Sequence, residues 1–361
     1  MFVITNRAID LDEDGLDVFG KKPNSEGANE IRLLEVKGRR PYRVELLDDE
    51  LPDEALDVLE QQFGFKLDRT QKWYSSLRVA CALFDRARRE RKHVLVYVHG
   101  YNNDMRDVMR TAHELERLYG VIVVPFSWPA NGGGKISGTA AYLSDKDDAR
   151  ASATALHRAV QKMAFYHRLL TEGLQRRLRA QADTRHPDDH ERAHELFSRL
   201  LGKECSTSLN LLCHSMGNYV FKYASRPSNS SLQHLTFDNI ALVAADVNNP
   251  GHAEWLENIP ARNRVYVVIN ENDSALKWSR RKPGDEQQAR LGHHLRGLVA
   301  SNAYYLDVTR SRSVGDDHSY FKGNPVNRNA RLHRLFSRIF GGQVAENTMA
   351  YHPDLNVYRP S

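Results

Sequence analysis

Cysteine is scarce in this sequence. The chain of 361 residues holds 3 cysteines, Cys81, Cys205 and Cys213, and none of them has the C-x-x-C spacing of a metal or redox site. An odd and sparse set of this kind does not fit a disulfide framework or a structural zinc site. We therefore expect a reducing compartment, and neither a structural metal nor another cofactor.

Long apolar runs are also lacking. No stretch of the sequence is apolar for the length that a bilayer span requires. The opening, MFVITNRAIDLDEDG, turns acidic early and has no basic segment followed by an apolar segment of signal-peptide length. These absences predict a cytoplasmic protein without a transmembrane segment.

A strong excess of charge of one sign is missing as well. The net charge is +5, and the basic clusters at residues 86–92, 176–179 and 280–282 lie among acids on predicted helices. No aromatic residues are interleaved with them in the manner of a nucleic-acid surface, so solvated helix faces are the better interpretation. We expect no nucleic-acid partner, and the sequence does not indicate an oligomeric state.

Short, nearly continuous apolar runs recur along the chain, with helix-period segments between them. They lie at residues 94–98, 121–124, 209–212, 240–243, 265–269 and 304–308. Such runs are typical of parallel strands covered on both faces. Between the first two runs, an apolar stripe predicts a helix that starts near Asn102 and Asn103 and stops at Gly120. The rhythm predicts an α/β fold with a mostly parallel sheet.

The flanking segments complete a single predicted domain over residues 1–341. Residues 1–50 contain three strand-like runs and no long helix, which predicts an antiparallel edge of the same sheet. Two helices follow before residue 92, one from Asp53 and one with Trp73, Leu77, Ala80, Cys81 and Phe84 at helical spacing.

Two later segments depart from the strand rhythm. Residues 140–203 are predicted to form a helical insertion, whose polar middle, broken at Pro187, is expected to cap the carboxyl edge of the sheet. The last residues, 342–361, are expected to form an extended tail.

The stretch LNLLCHSMGNYVF, residues 209–221, has the form of a buried strand that enters a helix through a serine. The nucleophile elbow of an α/β-hydrolase reads G-x-S-x-G, because larger side chains would collide with the neighbouring strand and helix. Here Cys213 replaces the first glycine and Gly217 retains the second. Cysteine is small enough for that position. The alternative is that Ser215 merely caps the helix, a role that serine favours.

A catalytic serine on this fold needs an acid and then a histidine, on loops after later strands. Asp273 follows the run at residues 265–269, and His318 lies in SVGDDHSYF after the run at residues 304–308. Asp246, at the end of IALVAAD, is a second candidate acid from the preceding strand. If Asp273 holds the histidine, Asp246 is expected near the pocket.

The stretch HVLVYVHGYNND suggests an oxyanion hole. Residues His99 and Gly100 follow a buried strand directly, where a backbone N–H can face a developing oxyanion. We expect Tyr101 and Met216 to supply the two N–H donors, and His99 to be a packing residue. Trp128 is expected either to line the pocket or to be a buried anchor.

Three other patterns compete with this interpretation. His190, Glu191 and His194 match H-E-x-x-H, but acids flank the motif and no third ligand follows at zinc-protease spacing. The acids at positions 10, 12 and 14 imitate a calcium loop, yet lysine stands at the bidentate position. The glycine-rich run at residues 131–135 lacks P-loop spacing and is expected to be a flexible loop.

Several widely separated motifs together resemble a family of mostly bacterial α/β-hydrolases of unknown function. In order, they are VHGYNND, VVPFSWPANGG, AYLSDKDDA, LNLLCHSMGN, LVAADVNN, VYVVINENDSALKWS, RLG and DHSYF, over roughly residues 93–320, and MFVITNRA is similar to that family's first strand. The family has C-H-S-M-G-like elbows and places its acid at the position of Asp273. The resemblance implies the α/β-hydrolase fold, a Ser–His–Asp triad and hydrolase chemistry, but no substrate.

These patterns predict a serine hydrolase that cleaves a small-molecule ester or a related acyl bond through an acyl-enzyme on Ser215. Two alternatives stay open at this point. One is a non-catalytic binding or scaffold protein on the same fold, and the other is a zinc peptidase that uses His190 and His194.

Overall fold

The predicted apolar runs form neighbouring strands in the computed structural model, which describes residues 1–130, 139–204, 207–225, 235–281 and 288–360. The glycine-rich run at 131–135, Cys205 and Lys282 lie outside these residues. The described strands are β1 (Phe2–Thr5), β2 (Arg7–Ile9), β3 (Phe19–Pro23), β4 (Arg32–Lys37), β5 (Arg43–Leu46), β6 (Val94–Val98), β7 (Ile122–Ser127), β8 (Leu209–His214), β9 (Asn239–Val243), β10 (Arg264–Ile269), β11 (Ala303–Asp307), β12 (Met349–His352) and β13 (Val357–Pro360).

The central sheet has 11 strands in the order β12-β13-β11-β10-β9-β8-β6-β7-β1-β4-β5. Its pairings are parallel from β1 through to β13. Strands β4 and β5 continue from β1 in antiparallel pairs, which confirms the predicted antiparallel edge. Because parallel strands end at one edge, the loops after β6, β8, β9, β10 and β11 all meet there.

Helices cover both faces of the sheet. They are α1 (Asp53–Phe63), α2 (Ser75–Glu90), α3 (Met105–Tyr119), α4 (Thr139–Ala151), α5 (Ala153–Arg185), α6 (His190–Glu204), α7 (Gly217–Ala224), α8 (Ala253–Leu256), α9 (Ser274–Ser279), α10 (Gly323–Asn327) and α11 (Ala330–Phe340). Apolar side chains of α4, α5 and α7 pack on one face, and those of α3 and α11 pack on the other. Burial on both faces is what the continuous apolar runs require.

The termini of α3 show how the sequence defines a helix here. The Asp104 carboxylate accepts a hydrogen bond from the Asp107 N–H, and Gly120 ends the helix in the left-handed conformation with φ 63°. Both are standard helix-end signals. Among the described helices, none is apolar over the length that would cross a bilayer.

The basic clusters pair with acids on helix faces. Arg86 contacts Glu90 and Arg89 contacts Asp85 on α2, and Arg179 contacts Asp183 on α5. These are exposed pairs one helical turn apart, and each contributes only a few tenths of a kcal/mol (about 0.3–0.5) to helix stability.

The insertion is helical as predicted, but its polar part does not cap the carboxyl edge. Helix α5 starts at that edge, where the Ser152 hydroxyl accepts a hydrogen bond from the Asn6 amide just after β1. It then crosses the sheet, so that His167 contacts Arg262, two residues before β10 begins. Residues 176–194 therefore lie beyond the amino edge, whereas α4 and the start of α5 border the carboxyl edge.

The C-terminal residues correct the prediction of an extended tail. Strands β12 and β13 form an antiparallel pair, and β13 joins the sheet in parallel with β11. The Glu346 carboxylate accepts hydrogen bonds from Arg264 Nε at 2.7 Å and from the Tyr266 hydroxyl at 2.6 Å. The segment is thus tied to β10 and closes this side of the sheet.

We predict that Glu346→Gln lowers the free energy of unfolding by about 1.5–3 kcal/mol, because it weakens two hydrogen bonds to a charged, buried carboxylate. Urea unfolding followed by circular dichroism measures the change. The matched control is Glu45→Gln, whose carboxylate pairs with Lys37 at the exposed edge of the sheet, so that this change should have little effect on stability. Equal effects of the two changes would show that the C-terminal segment is not an integral part of the domain.

Candidate active site

Ser215 follows β8 directly and has the backbone of a nucleophile elbow. Its φ is 54°, in the left-handed region that residues other than glycine rarely adopt. Its N–H donates to the Val243 carbonyl at 3.1 Å, and its own carbonyl accepts from the Asp246 N–H at 3.2 Å. The Asn218 amide lies within 3.2 Å of the carbonyls of Cys213, Ser215 and Val243. The turn is thus cross-linked to the end of β9.

Two glycines make room for this turn. A Cβ atom on Gly217 would lie 2.5 Å from the Val98 carbonyl oxygen, and one on Gly100 would lie 2.7 Å from the Ser215 Cβ. Neither distance is compatible with a side chain. Cys213, which replaces the first glycine of the motif, is fully buried in the sheet opposite Val98, so a small side chain fits at that position.

Asp273 and His318 are in direct contact. The Asp273 carboxylate Oδ2 lies 2.7 Å from His318 Nδ1, and the acid is fully buried while the histidine side chain is 24% exposed. The other carboxylate oxygen caps α9 by accepting from the Leu276 N–H at 3.0 Å. With its Nδ1 proton donated to Asp273, the ring keeps Nε2 available as a base.

The loop that carries His318 is held by three residues that the sequence analysis did not single out: Asn270, Tyr320 and His214. The Asn270 amide, at the end of β10, donates to the carbonyls of Gly315 and Asp317. The Tyr320 hydroxyl donates to the Val268 carbonyl and accepts from the Ala244 N–H.

The third of these residues, His214, links the elbow to His318. His214 Nε2 lies 3.1 Å from the His318 carbonyl oxygen, and the two rings are 4.7 Å apart. Burial, and after it the repulsion that a protonated His318 would exert, lowers the pKa of His214 well below its usual value, so this ring is neutral. The signal for His214 was its place in CHSMG, next to the serine.

Asp246, the other candidate acid, has different partners. Its carboxylate accepts hydrogen bonds from the hydroxyls of Tyr142 at 2.9 Å and Ser279 at 2.6 Å. It also pairs with Arg290 Nε at 3.2 Å, and both side chains are at most 4% exposed. The carboxylate is therefore held beside α4, in a buried ion pair.

The loop after β6 is fixed from two sides. The Asn103 amide donates to the Tyr101 carbonyl at 2.7 Å, and the Asn103 carbonyl accepts from the Arg7 guanidinium at 3.1 Å. From α4, the Asp145 carboxylate accepts from the Asn102 N–H at 3.2 Å. The backbone at Tyr101 thus lies on a turn that several hydrogen bonds fix, directly after Gly100, which packs against Ser215. Met216 follows the serine and is the N-cap residue of α7.

His99 and Trp128, directly after β6 and β7, form a stacked pair next to this loop. Their rings stack with centroids 5.2 Å apart, the Trp128 N–H donates to His99 Nε2, and the indole N–H donates to the His99 carbonyl. Burial, followed by the charge of Arg7, lowers the pKa of His99 to about 3. Trp128 is 0% exposed, which matches the buried anchor and not a pocket wall.

The competing metal motifs lie on the surface. His190, Glu191 and His194 are exposed on α6, beyond the amino edge of the sheet. The three acids of the calcium-like stretch are exposed around a short turn. Within the described ranges, no group of three or more histidine, cysteine or acidic side chains is placed to hold a metal ion.

A buried arginine and the acids of α4 set the charge balance near the loop after β6. Burial lowers the pKa of Arg7 to about 10, and Asp104, Asp145 and Asp148 oppose that shift, so the guanidinium is charged at neutral pH. Burial, followed by repulsion from Asp145 and Asp147, raises the pKa of Asp148 to about 6. In the folded protein, Asp148 therefore becomes charged only as the pH rises through about 6, where protein stability can be measured.

We predict that Asp148→Asn stabilises the protein by about 1 kcal/mol near pH 8 and has no such effect near pH 4, after allowance for solvent screening. The folded state holds the Asp148 proton up to about pH 6, whereas the unfolded state releases it near 3.8. Wild-type stability therefore falls as the pH rises through this window, and the asparagine variant lacks that loss. Urea unfolding across the range measures the difference.

The control is Asp183→Asn on the exposed face of α5, which should change stability by less than about 0.5 kcal/mol at either pH. A variant at position 148 that is less stable than wild type near pH 8 would contradict the assignment.

Comparison with known proteins identifies a family. Residues 80–169, which run from α2 through β6, α3 and β7 into α5, match the family described as alpha/beta hydrolase of unknown function (DUF900). The match ends before Ser215, so it bears on the fold and on the loop after β6 rather than on the serine. No curated protein and no solved structure gives a significant match. The match confirms, over these residues, the resemblance seen in the sequence motifs, and the mostly parallel sheet with its antiparallel edge is consistent with the α/β-hydrolase fold.

Proposed function

We propose that this protein is a serine hydrolase that cleaves an ester or a related acyl bond through a covalent acyl-enzyme on Ser215. The observation that carries the proposal is the 2.7 Å contact between the buried Asp273 carboxylate and His318 Nδ1. It is supported by the left-handed backbone of Ser215 and by the contact of His318 with His214, the residue before the serine. The acid, the histidine and the serine follow β10, β11 and β8, which are parallel strands of one sheet. This combination is the one that acyl transfer by a triad needs.

In the proposed mechanism, His318 Nε2 accepts the proton of the Ser215 hydroxyl as Oγ attacks the acyl carbon. Asp273 holds the Nδ1–H tautomer and stabilises the imidazolium that forms. The N–H groups of Met216 and Tyr101 receive the developing oxyanion, and a fixed donor of this kind contributes about 10²–10³ in turnover. His318 then protonates the departing alcohol, and water attacks the acyl-enzyme by the same steps.

The position of Tyr101 supports the oxyanion assignment. The loop is bonded to Arg7 and to Asp145, so its backbone is set before substrate arrives. Donors that need no rearrangement during the reaction are the efficient ones.

The alternatives have less support. A zinc peptidase would need buried ligands near a cleft, whereas His190 and His194 are exposed at the opposite edge of the sheet. A non-catalytic scaffold has no need for a buried acid that fixes a partly exposed histidine. A fluorophosphonate probe separates the three functions, because only the serine hydrolase is labelled at Ser215, and only the zinc peptidase is sensitive to a chelator.

We predict that Ser215→Ala lowers the turnover of p-nitrophenyl esters about a million-fold, because the covalent route is lost. A panel of esters of increasing chain length, measured on wild type and variant, checks this and defines the acyl preference. Ser337→Ala is the matched control, since its hydroxyl bonds within α11, and it should retain full turnover. Turnover within tenfold of wild type in the Ser215 variant would reject the nucleophile.

The two candidate acids give a second prediction. Asp273→Asn should lower turnover about ten-thousand-fold with little loss of stability, because the histidine tautomer is no longer fixed. Asp246→Asn should keep most of the turnover but lower the free energy of unfolding by about 3–5 kcal/mol, because Arg290 is left without its buried partner.

Both acid variants are assayed at neutral pH and at a temperature where thermal melts show them folded. If the Asp246 variant is the one that loses turnover under those conditions, the triad is assigned to the wrong acid.

A further inference from the structure

His214 is the last residue of β8 and lies directly before the proposed nucleophile. Cys213 packs in the apolar cluster on the face of the sheet that α4, α5 and α7 cover. Because successive side chains of a strand alternate between its faces, the His214 ring lies on the opposite face, where Phe321 is buried. The rings of His214 and Phe321 are 4.9 Å apart between centroids. His214 thus joins the end of β8 to the loop that carries His318.

The hydrogen bond of His214 fixes the tautomer of its own ring. Burial, above all, lowers the pKa of His214 well below its usual value, so the ring is neutral and has one N–H to donate. Nε2 lies 3.1 Å from the His318 carbonyl oxygen, which can only accept, so Nε2 carries the proton. The ring therefore gives its single donor to the backbone of the histidine that the proposed mechanism uses as the base.

The peptide groups on either side of the His318 Cα atom are held from two different strands. The Asp317 carbonyl accepts from the Asn270 amide at 3.2 Å, just after β10, and the His318 carbonyl accepts from His214 at the end of β8. The imidazole itself is tied at Nδ1, 2.7 Å from the Asp273 carboxylate. These three bonds fix the backbone from which the imidazole extends and the position of its Nδ1 atom.

The remaining freedom of His318 is a rotation of its ring about the axis that these bonds define. The His214 ring packs against the imidazole, with centroids 4.7 Å apart and planes inclined by 49°. A ring at this distance blocks rotation toward that side, because the protein interior has no room for overlapping atoms. The direction in which Nε2 points is therefore set before substrate binds.

We infer that His214 is a positioning residue for the proposed base, and that its bond to the His318 carbonyl keeps His318 Nε2 directed at the Ser215 hydroxyl. The inference rests on the proposed hydrolase function. Because His214 precedes Ser215 in the chain, a movement of the elbow moves the support of the base with it. Such placement matters because a displacement of about 1 Å in a reacting group can cost about a hundredfold in rate.

The first test separates the hydrogen bond from the ring. His214→Phe keeps an aromatic ring and removes the donor, whereas His214→Gln removes the ring and places an amide N–H near the position of Nε2. The phenylalanine variant should lower kcat for p-nitrophenyl butyrate about ten- to a hundredfold with little change in KM, because the base acts in the chemical step and not in substrate binding. The glutamine variant should restore most of that loss.

The matched control is His333→Phe. His333 Nε2 lies 3.0 Å from the Leu118 carbonyl oxygen, and its ring stacks on that of Tyr119 with centroids 5.2 Å apart. The change removes the same kind of bond between α11 and α3, outside the candidate site, and should leave kcat unchanged. All variants are assayed at a temperature where thermal melts show them folded.

Three results of this test would overturn the inference. They are a phenylalanine variant at position 214 with the kcat of wild type, a glutamine variant as slow as the phenylalanine variant, and an equal loss of kcat in the His333 control.

The second test needs no turnover. In the Ser215→Ala protein, the His318 Nδ1 proton that is donated to the Asp273 carboxylate should give a far-downfield proton NMR signal, identified by its loss in Asp273→Asn. Adding His214→Gln should keep this signal, and adding His214→Phe should broaden it through faster exchange with solvent. An equally sharp signal with either change would show that His214 does not hold His318.

This inference and the proposed function fail separately. Loss of turnover in Ser215→Ala, together with wild-type kcat in both His214 variants, would leave the hydrolase and remove the positioning role. Full turnover in Ser215→Ala, together with an NMR signal that depends on His214, would leave the support of His318 and remove the proposed nucleophile.

Discussion

The tight turn at Ser215 is the constraint on which the arrangement of the site depends. A residue other than glycine in the left-handed conformation costs about 1–2 kcal/mol, and the fold has to offset that cost locally. Here the backbone bonds to Val243 and Asp246 and the bracket formed by the Asn218 amide do so. The turn also needs close approach to β6, which only Gly100 and Gly217 allow. Once the serine is fixed in this way, the ends of β9 and β6 are fixed with it, and the loops that follow them can form only around the same point.

The sequence predicts the sheet well and its outermost parts poorly. Apolar runs such as residues 209–212 are buried on both faces, so a strand can be predicted there from the local sequence without knowledge of its neighbours. Strands β12 and β13 are half-exposed and carry residues such as Tyr351 and Arg359. Their placement depends on β11 and on the bonds of Glu346 to Arg264 and Tyr266, all of which are remote in sequence. The placement of the insertion was wrong for a geometric reason. Helix α5 has 33 residues and is about 50 Å long, whereas the six residues of β8 span about 20 Å, so a helix that starts at one edge must project beyond the other.

The same distinction holds within the candidate site. Ser215, Asp273 and His318 are foreseeable because each follows an apolar run in the order that one chemistry requires. Their supports are not, since Asn270, His214 and Tyr320 are single polar residues in or beside apolar segments, where a polar side chain has many roles. Only the structure shows that Asn270 holds the histidine loop and that His214 joins it to the elbow. Trp128 illustrates the converse, because an aromatic residue at the edge of the sheet fits a pocket and a buried anchor equally until its burial is known.

Asp246 and Asp273 have different partners because they follow different strands. Asp246 leaves β9 beside the elbow itself, where α4 and Arg290 close over it, and a carboxylate buried there requires a cation and hydroxyl donors as partners. Asp273 leaves β10 one strand further away and faces the loop after β11, so the partner within reach is an imidazole rather than a guanidinium. Asp246, the candidate acid next to the serine, is paired with Arg290 and is therefore not available to His318.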